Sequence, residues 1–313
     1  MRPPQTALAF SPAVISNFFV IHDDALSNTP PDLSLVGATG GGFTLSKGVY
    51  TSAWVVPSSS RAVSVAVNGD ANYLAKTTRK AVDLLLQAAH QPPQLVELVQ
   101  TTEVPIGLGF GTSSASALSA VMAVASALEL KLDKEHVASF AHAADVLQGT
   151  GLGTVSSTYD HSGAGLIVRP GGPGVARVRQ VKVPPGIRIV TASLKPIPKG
   201  NLLSSPRRRK RVNLLGESAL ERASDLKFKS LLAAGHAFAE GLGLMTRQVE
   251  RLIEVSMKKG AMGASQNMIG NAMHAIVRDD QLERVMSALR SSSSAAAVES
   301  FRIGGRTARV LTE

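Results

Sequence analysis

Three early stretches, residues 9–21, 43–56 and 61–67, run or alternate apolar with Val, Ile, Phe and Thr between turn signals, and they predict a β meander. The period then changes. Residues 72–91 carry Leu74, Val82, Leu85 and Leu86 at helical spacing. Leu95 to Thr101 reads as a strand feeding a glycine-rich turn, residues 113–130 as the helix behind that turn, and 134–147 as a further helix. Gly163 to Arg169 reads as a strand before the breaker Pro170-Gly-Gly-Pro-Gly174, and a strand pair, 175–183 with 187–192, brackets Pro184-Pro185-Gly186. Beyond it the pattern predicts helices at about 213–222, 225–241, 243–259 and 279–290, a Ser/Ala-rich connector at 291–297, and a short strand pair turning at Gly304-Gly305. No internal repeat is present, and strands mixed with helices imply an α+β chain.

The most chemically loaded segment lies at the join between strand and helix. In residues 103–116, Gly107, Gly109 and Gly111 alternate and lead into Thr112, Ser113 and Ser114. A glycine-rich turn opening a helix presents unpaired backbone N–H groups at the positive end of the helix dipole, where a phosphate can sit. Glycine lets the backbone approach anionic oxygens, and Ser or Thr hydroxyls can donate to phosphate or ligate Mg²⁺. The spacing is neither that of a Walker loop, since no Gly-Lys-Ser/Thr follows, nor that of a dinucleotide fingerprint. By composition alone such a segment is more often a tight turn with a helix cap than a binding site.

Composition narrows the setting. With 313 residues and 44% hydrophobic content the chain can bury a large core as one large or two intimate domains. It has no cysteine, which excludes disulfides and thiolate metal sites and makes the cytoplasm the default expectation. The start lacks the apolar core of a signal peptide, and the longest apolar window, 115–130, is interrupted by Ser116, Ser119, Ser126 and Glu129, so no membrane span is expected. The net charge of +10 is unevenly placed: 8 basic and 12 acidic residues in 1–168, 15 and 3 in 169–229, 10 and 8 in 230–313. A basic middle segment attracts anions. Its densest part, Pro206-Arg-Arg-Arg-Lys-Arg211, reads as a solvated helix start or loop, or as an anion-steering element. A nucleic-acid partner is disfavoured, because no aromatic residues interleave with the basic ones.

Pro105-Ile-Gly-Leu-Gly109-Phe-Gly111-Thr-Ser113-Ser114-Ala115 resembles the central ATP-binding motif of the GHMP kinases, roughly P-x-x-x-G-L-G-S-S-A. Ala9-Phe-Ser-Pro12 and Phe18-Phe-Val-Ile21, then Gly37-Ala-Thr-Gly40-Gly-Gly42-Phe-Thr-Leu-Ser46-Lys-Gly48, resemble the archaeal pantoate kinase branch. So do His142-Ala-Ala-Asp145, Gly149-Thr-Gly-Leu-Gly153, Arg169-Pro-Gly-Gly-Pro-Gly174 and Ala264-Ser-Gln-Asn-Met-Ile-Gly270. These pieces occur in the family's order across nearly the whole chain.

The resemblance implies a two-domain GHMP fold: a ribosomal-protein-like ATP-binding α/β domain over 1–183 and a ferredoxin-like α+β domain over 184–313. It implies an ATP-dependent kinase that uses Mg²⁺ and phosphorylates pantoate to 4-phosphopantoate in coenzyme A biosynthesis. The segment Pro105, Gly107, Leu108, Gly109, Phe110, Gly111, Thr112, Ser113 and Ser114 would wrap the triphosphate. Ser113 and Asp145 would hold the metal, with Asp145 standing where the family has a Glu. His142, three residues before Asp145 and so on the same helix face, would hydrogen-bond an acceptor hydroxyl, Arg169 would grip its carboxylate, and Ala38 would lie at the substrate.

There are departures from the pattern. Thr154 stands where pantoate kinases have the Asp that orients or deprotonates the acceptor hydroxyl, and Ala38 replaces a Ser. Pro12-Ala13-Val14 replaces Pro-Gly-His. A Thr is no general base, so transfer would rest on positioning and electrostatics, or on Asp160 if its loop folded back. The alternative is a catalytically impaired ATP-binding paralogue acting as a sensor or partner subunit. Pairing of two copies as a homodimer is compatible with the sequence and not read from it.

Overall fold

The structure is a computed structural model that describes residues 5–197, 205–293 and 296–311. Its first sheet contains β1 (Gln5–His22), β2 (Gly37–Pro57), β3 (Ala62–Val67), β4 (Gln94–Thr102), β5 (Ala164–Arg169), β6 (Arg177–Val181) and β11 (Arg309–Leu311). The order is β11-β1-β2-β4-β3, all antiparallel except β3 with β4. Long β2 serves two partners: residues 49–57 pair with β4 and 40–43 with β5, which in turn pairs with β6.

Helices α1 (Lys76–Ala88), α2 (Thr112–Ala127) and α3 (Lys134–Gln148) share a core with this sheet, in which Val55, Val65 and Leu98 meet Leu85, Leu118 and Val121. Nearly every side chain of α2 is buried, as expected for a helix of Ala, Ser, Val and Leu that is apolar on all sides.

The second sheet is antiparallel in the order β10 (Ala297–Arg302), β7 (Ile187–Ser193), β9 (Ala272–Arg278), β8 (Gly263–Gln266). Helices α6 (Arg247–Lys258) and α7 (Leu282–Ser292) form a core with it through Leu252, Ile253, Val285 and Leu289. A third cluster joins the two sheets: Ile15, Phe18 and Phe43 of the first meet Ile189, Ile276 and Phe301 of the second and Leu231 and Phe238 of α5 (Phe228–Leu242). Helix α4 (Pro206–Arg222) also joins it, through Val212 and Ala219.

Two expected strand pairs are corrected. Strands β6 and β7 are neighbours in sequence but belong to different sheets, the first ending at Val181 and the second starting at Ile187. The Pro184-Pro185-Gly186 link therefore carries the chain across the molecule. Likewise β10 and β11 do not pair with each other: β10 joins β7, whereas β11 returns to β1 in the first sheet. Helix α4 begins at Pro206 rather than at 213, with the proline in the first turn where its missing N–H is not needed. Strands β8 and β9, absent from the pattern reading, are short and buried on both faces, so no polar alternation marks them.

Candidate active site

The turn after β4 folds as its glycines require. Gly107, Gly109 and Gly111 all take positive φ, at 76°, 83° and 62°. Their reasons differ. A Cβ on Gly107 would meet nothing within 4 Å, whereas one on Gly109 would fall 2.2 Å from the carbonyl oxygen of Asn267. The reverse contact is as close, because a Cβ on Gly270 would fall 2.3 Å from the Leu108 carbonyl oxygen. The turn 267–270, closed by Gly270 N–H donating to Asn267 O at 2.7 Å, thus packs backbone to backbone on the glycine turn. The Val14 N–H donates to Phe110 O at 3.0 Å and holds the other side.

Gly111 is the N-cap of α2, with no side-chain cap and no acidic residue in the first turn. The N–H groups of Thr112, Ser113 and Ser114 carry no hydrogen bond among the described residues. They open onto a cavity of about 650 Å³ lined by residues 106–107 and 109–114, by Gly149–Thr154 and by the facing parts of β1 and β2. Donors at the positive end of a helix, free of internal partners and facing a cavity, form an anion site.

Beneath this floor lies Asp145, only 1% exposed. The Ser114 hydroxyl donates to its Oδ2, and the Thr150 hydroxyl donates to Oδ1 at 2.6 Å. Gly151 leaves room for the carboxylate, since a Cβ there would stand 2.6 Å from Oδ2. Burial pushes the Asp145 carboxyl up to about 6, against the opposing effect of the two hydroxyl donors, and no cation pairs with it among the described residues. Ser113, by contrast, is exposed and lines the cavity.

Thr154 and Ala38 line the same cavity, and a Cβ on Gly153 would lie 3.4 Å from that of Ala38, so the loop 149–154 and the start of β2 are in contact. Several sequence expectations are not met by this geometry. His142 is 2% exposed and does not line the cavity; its Nε2 hydrogen-bonds the carbonyl oxygens of Val36 at 3.0 Å and Leu33 at 3.2 Å. Burial holds its pKa below the usual histidine range, so it serves as a neutral brace for residues 33–36 rather than as a ligand for an acceptor.

Arg169 is exposed at the end of β5 and is not among the cavity residues, the strand register shifting between Ile167 and Arg169. Asp160 does not fold back: it is 64% exposed and pairs with Lys134 at 3.5 Å. Pro105 and Leu108 do not line the cavity either, Leu108 packing instead into the cluster between the sheets.

The structure adds residues that sequence reasoning missed. Met268, Ile269 and Gly270 wall the cavity; the motif Ala264 to Gly270 flagged this segment but no role for it. Thr150 as partner of Asp145 follows from the loop alone. Asp23 and Arg209 also line the cavity and pair with each other, and nothing local signals that.

A family description for the GHMP kinases N-terminal domain matches residues 72–159, the segment from before α1 to just past the 149–154 loop. The chain is 28% identical over 277 residues to the pantoate kinase of Methanospirillum hungatei, covering 86% of each chain. To that of Thermococcus kodakarensis it is 27% identical over 297 residues, covering 90% of this chain and 91% of the relative. A solved structure described as a phosphotransferase related to the coenzyme A biosynthesis pathway superposes with a TM-score of 0.83 at 25% identity, over 97% of this chain and 98% of that one. Residues 72–159 thus match the GHMP kinases N-terminal domain, and with the glycine turn, the open α2 N-terminus and the two-sheet architecture the chain as a whole is similar to kinases of that superfamily.

Proposed function

We propose that this protein is an ATP-dependent kinase that phosphorylates pantoate to 4-phosphopantoate in coenzyme A biosynthesis. The observation that carries this reading is the similarity to two archaeal pantoate kinases over 86–90% of the chain, which spans both sheets and the cavity between them. Within that reading the two units are residues 1–183, completed by β11, and the rest of the chain from 184.

The backbone of 107–114 would wrap the triphosphate, with the N–H groups of Thr112–Ser114 facing its oxygens. Phosphoryl transfer asks mainly for positioning and charge stabilisation, and this preformed cradle supplies both. Asp145 and Ser113 fit a hard cation: a buried carboxylate with no paired cation among the described residues and an exposed hydroxyl at the cavity are oxygen ligands of the kind Mg²⁺ takes. Bound there, Mg²⁺ would neutralise charge on the phosphates. Because the Asp145 oxygens already accept from Ser114 and Thr150, contact with the metal through water suits this geometry better than direct ligation.

Thr154 lines the cavity where the family's Asp would stand, and it holds no proton-accepting carboxylate. Its hydroxyl can still orient an acceptor oxygen, which leaves deprotonation to follow rather than precede transfer. A coupled ADP-release assay across pantoate, mevalonate, homoserine and related hydroxy acids tests the substrate. Release that depends on pantoate is the expected result; release with mevalonate or homoserine and not with pantoate would overturn the assignment.

A further inference from the structure

Neither Arg169 nor His142 is among the residues that line the cavity. Among the described residues that line it, the only Lys or Arg is Arg209, in the first turns of α4. Its Nη2 donates to both carboxylate oxygens of Asp23, at 2.6 and 2.7 Å, and the two side chains are 34% and 23% exposed. Nε and Nη1 carry no hydrogen bond among the described residues. Among the described residues, Arg209 therefore sits at the cavity wall with its charge engaged on one edge and planar donors unclaimed on the other.

Its place is fixed by α4. One turn along that helix, the Asn213 amide donates to Ile21 O at 3.1 Å and accepts from Ile21 N at 2.9 Å, clamping α4 to the end of β1. Residues four apart share a helix face, so Arg209 is carried to the same strand end, beside Asp23. In the β1–β2 register Ile21 faces Ala38 and Val20 faces Thr39, both of which line the cavity. This end adjoins the Gly153 loop but is built from different elements than the α2 phosphate cradle. Its other lining residues include Phe19, Leu26 and Ile197, which are apolar.

We infer that Arg209 is the residue that recognises the carboxylate of the acceptor, with Asp23 as an internal stand-in that holds the guanidinium until an acid of the right shape takes up its free edge. An arginine fork set among apolar side chains selects a small hydroxy acid with an aliphatic body. Asp23 adds discrimination, because an acceptor lacking the carboxylate has nothing to offer a guanidinium already paired. This inference rests on the kinase reading, and it gives the basic run at 207–211 one residue with a specific task among neighbours that supply only field.

The test compares Arg209→Gln with Arg207→Gln, which removes the same charge from an exposed position on the same run. Both are assayed with pantoate and with its analogue whose carboxylate is reduced to an alcohol, and pantoate binding is measured by calorimetry without turnover. Arg209→Gln is expected to raise the KM and the Kd for pantoate by ~30-fold, the scale of a charge-assisted pair, with kcat and the KM for ATP within about 3-fold and the alcohol analogue unaffected. Arg209→Lys should recover only part of the loss, since a point charge cannot replace the fork.

A matching rise in Arg207→Gln would reduce the effect to long-range field. A rise in the KM for ATP alone, or equal losses for acid and alcohol, would assign Arg209 to phosphate or to structure. Each of those results overturns the inference. Absence of turnover in the parent protein would refute the kinase reading instead, while the calorimetric comparison would still decide whether Arg209 holds the acid.

Discussion

Gly107 and Gly109 share a backbone conformation but not an environment, which makes them a matched pair for the glycine turn. Gly107→Ala should cost only the left-handed backbone penalty, ~1–2 kcal/mol, because a methyl group there meets open space. Gly109→Ala must in addition displace the carbonyl of Asn267 and with it the 267–270 wall. Thermal melts and ATP titrations of the two variants should therefore separate, with Gly109→Ala losing at least ~10-fold more in ATP affinity. Equal effects would mean that the turn and the wall do not constrain each other. Asp145 makes the second residue-scale case. Its folded pKa, raised to about 6 from 3.8, means that the folded state keeps a proton the unfolded state has lost. Its contribution to stability is thus greatest below about pH 4 and is lost as pH rises through about 6. In metal-free protein, Asp145→Asn should remove this opposing contribution, so that the melting temperature rises more steeply between about pH 4 and 6 than in the parent; an unchanged slope would place the titration elsewhere.

At the scale of elements, the turn between β8 and β9 matters as much as the glycine turn it meets. His274 on β9 is 1% exposed, its Nδ1 lies 2.9 Å from Asn267 Oδ1, and burial pulls its pKa down to about 3. Neutral His274 can donate to Asn267 and so supports the residue whose backbone abuts Gly109. The sign is opposite to that of Asp145: the unfolded chain takes up a proton below about pH 6.5 that the folded chain refuses until about 3. His142, also buried and shifted down, acts in the same direction. Stability should therefore fall on acidification from pH 6.5, and His274→Gln should flatten that fall by at most ~1.4 kcal/mol per pH unit. Melting curves between pH 7 and 4 measure it. A parallel fall in the variant would show that His274 is not the acid-sensitive group.

The same elements show what a sequence can and cannot disclose. The glycine turn, the buried α2 behind it and the Gly149–Gly153 loop are legible because each is local: spacing and residue type alone require the turn and the helix. Asn267 against Gly109 and Arg209 on Asp23 are not legible, since each is made by segments far apart in the chain and brought together only by packing. Neighbouring strands mislead for the same reason. Strands β6 and β7 look like a hairpin around Pro184-Pro185-Gly186, and only the cores of the two sheets decide that they part. Asp160 and Arg169 likewise have suitable chemistry for a site, but strand register and loop direction leave them in solvent.

For the whole molecule, two sheets meet through a shared core and leave one large cavity where the open end of α2 faces the β1–β2 end and its arginine. None of the described helices is long and apolar enough to cross a membrane. Of the positive charge concentrated in 169–229, Arg209 alone lines this cavity among the described residues. The central claim is that this arrangement transfers phosphate to pantoate although Thr154, at the cavity, is no general base. The most direct measurement is pantoate-dependent ADP release by the unaltered protein with ATP and Mg²⁺, with the phosphorylated product identified by ³¹P NMR. Stoichiometric ADP and one phosphomonoester resonance that require both ATP and pantoate are the expected result. Tight ATP binding with no ADP release beyond the pantoate-free rate would contradict the claim and leave a nucleotide-binding paralogue in its place.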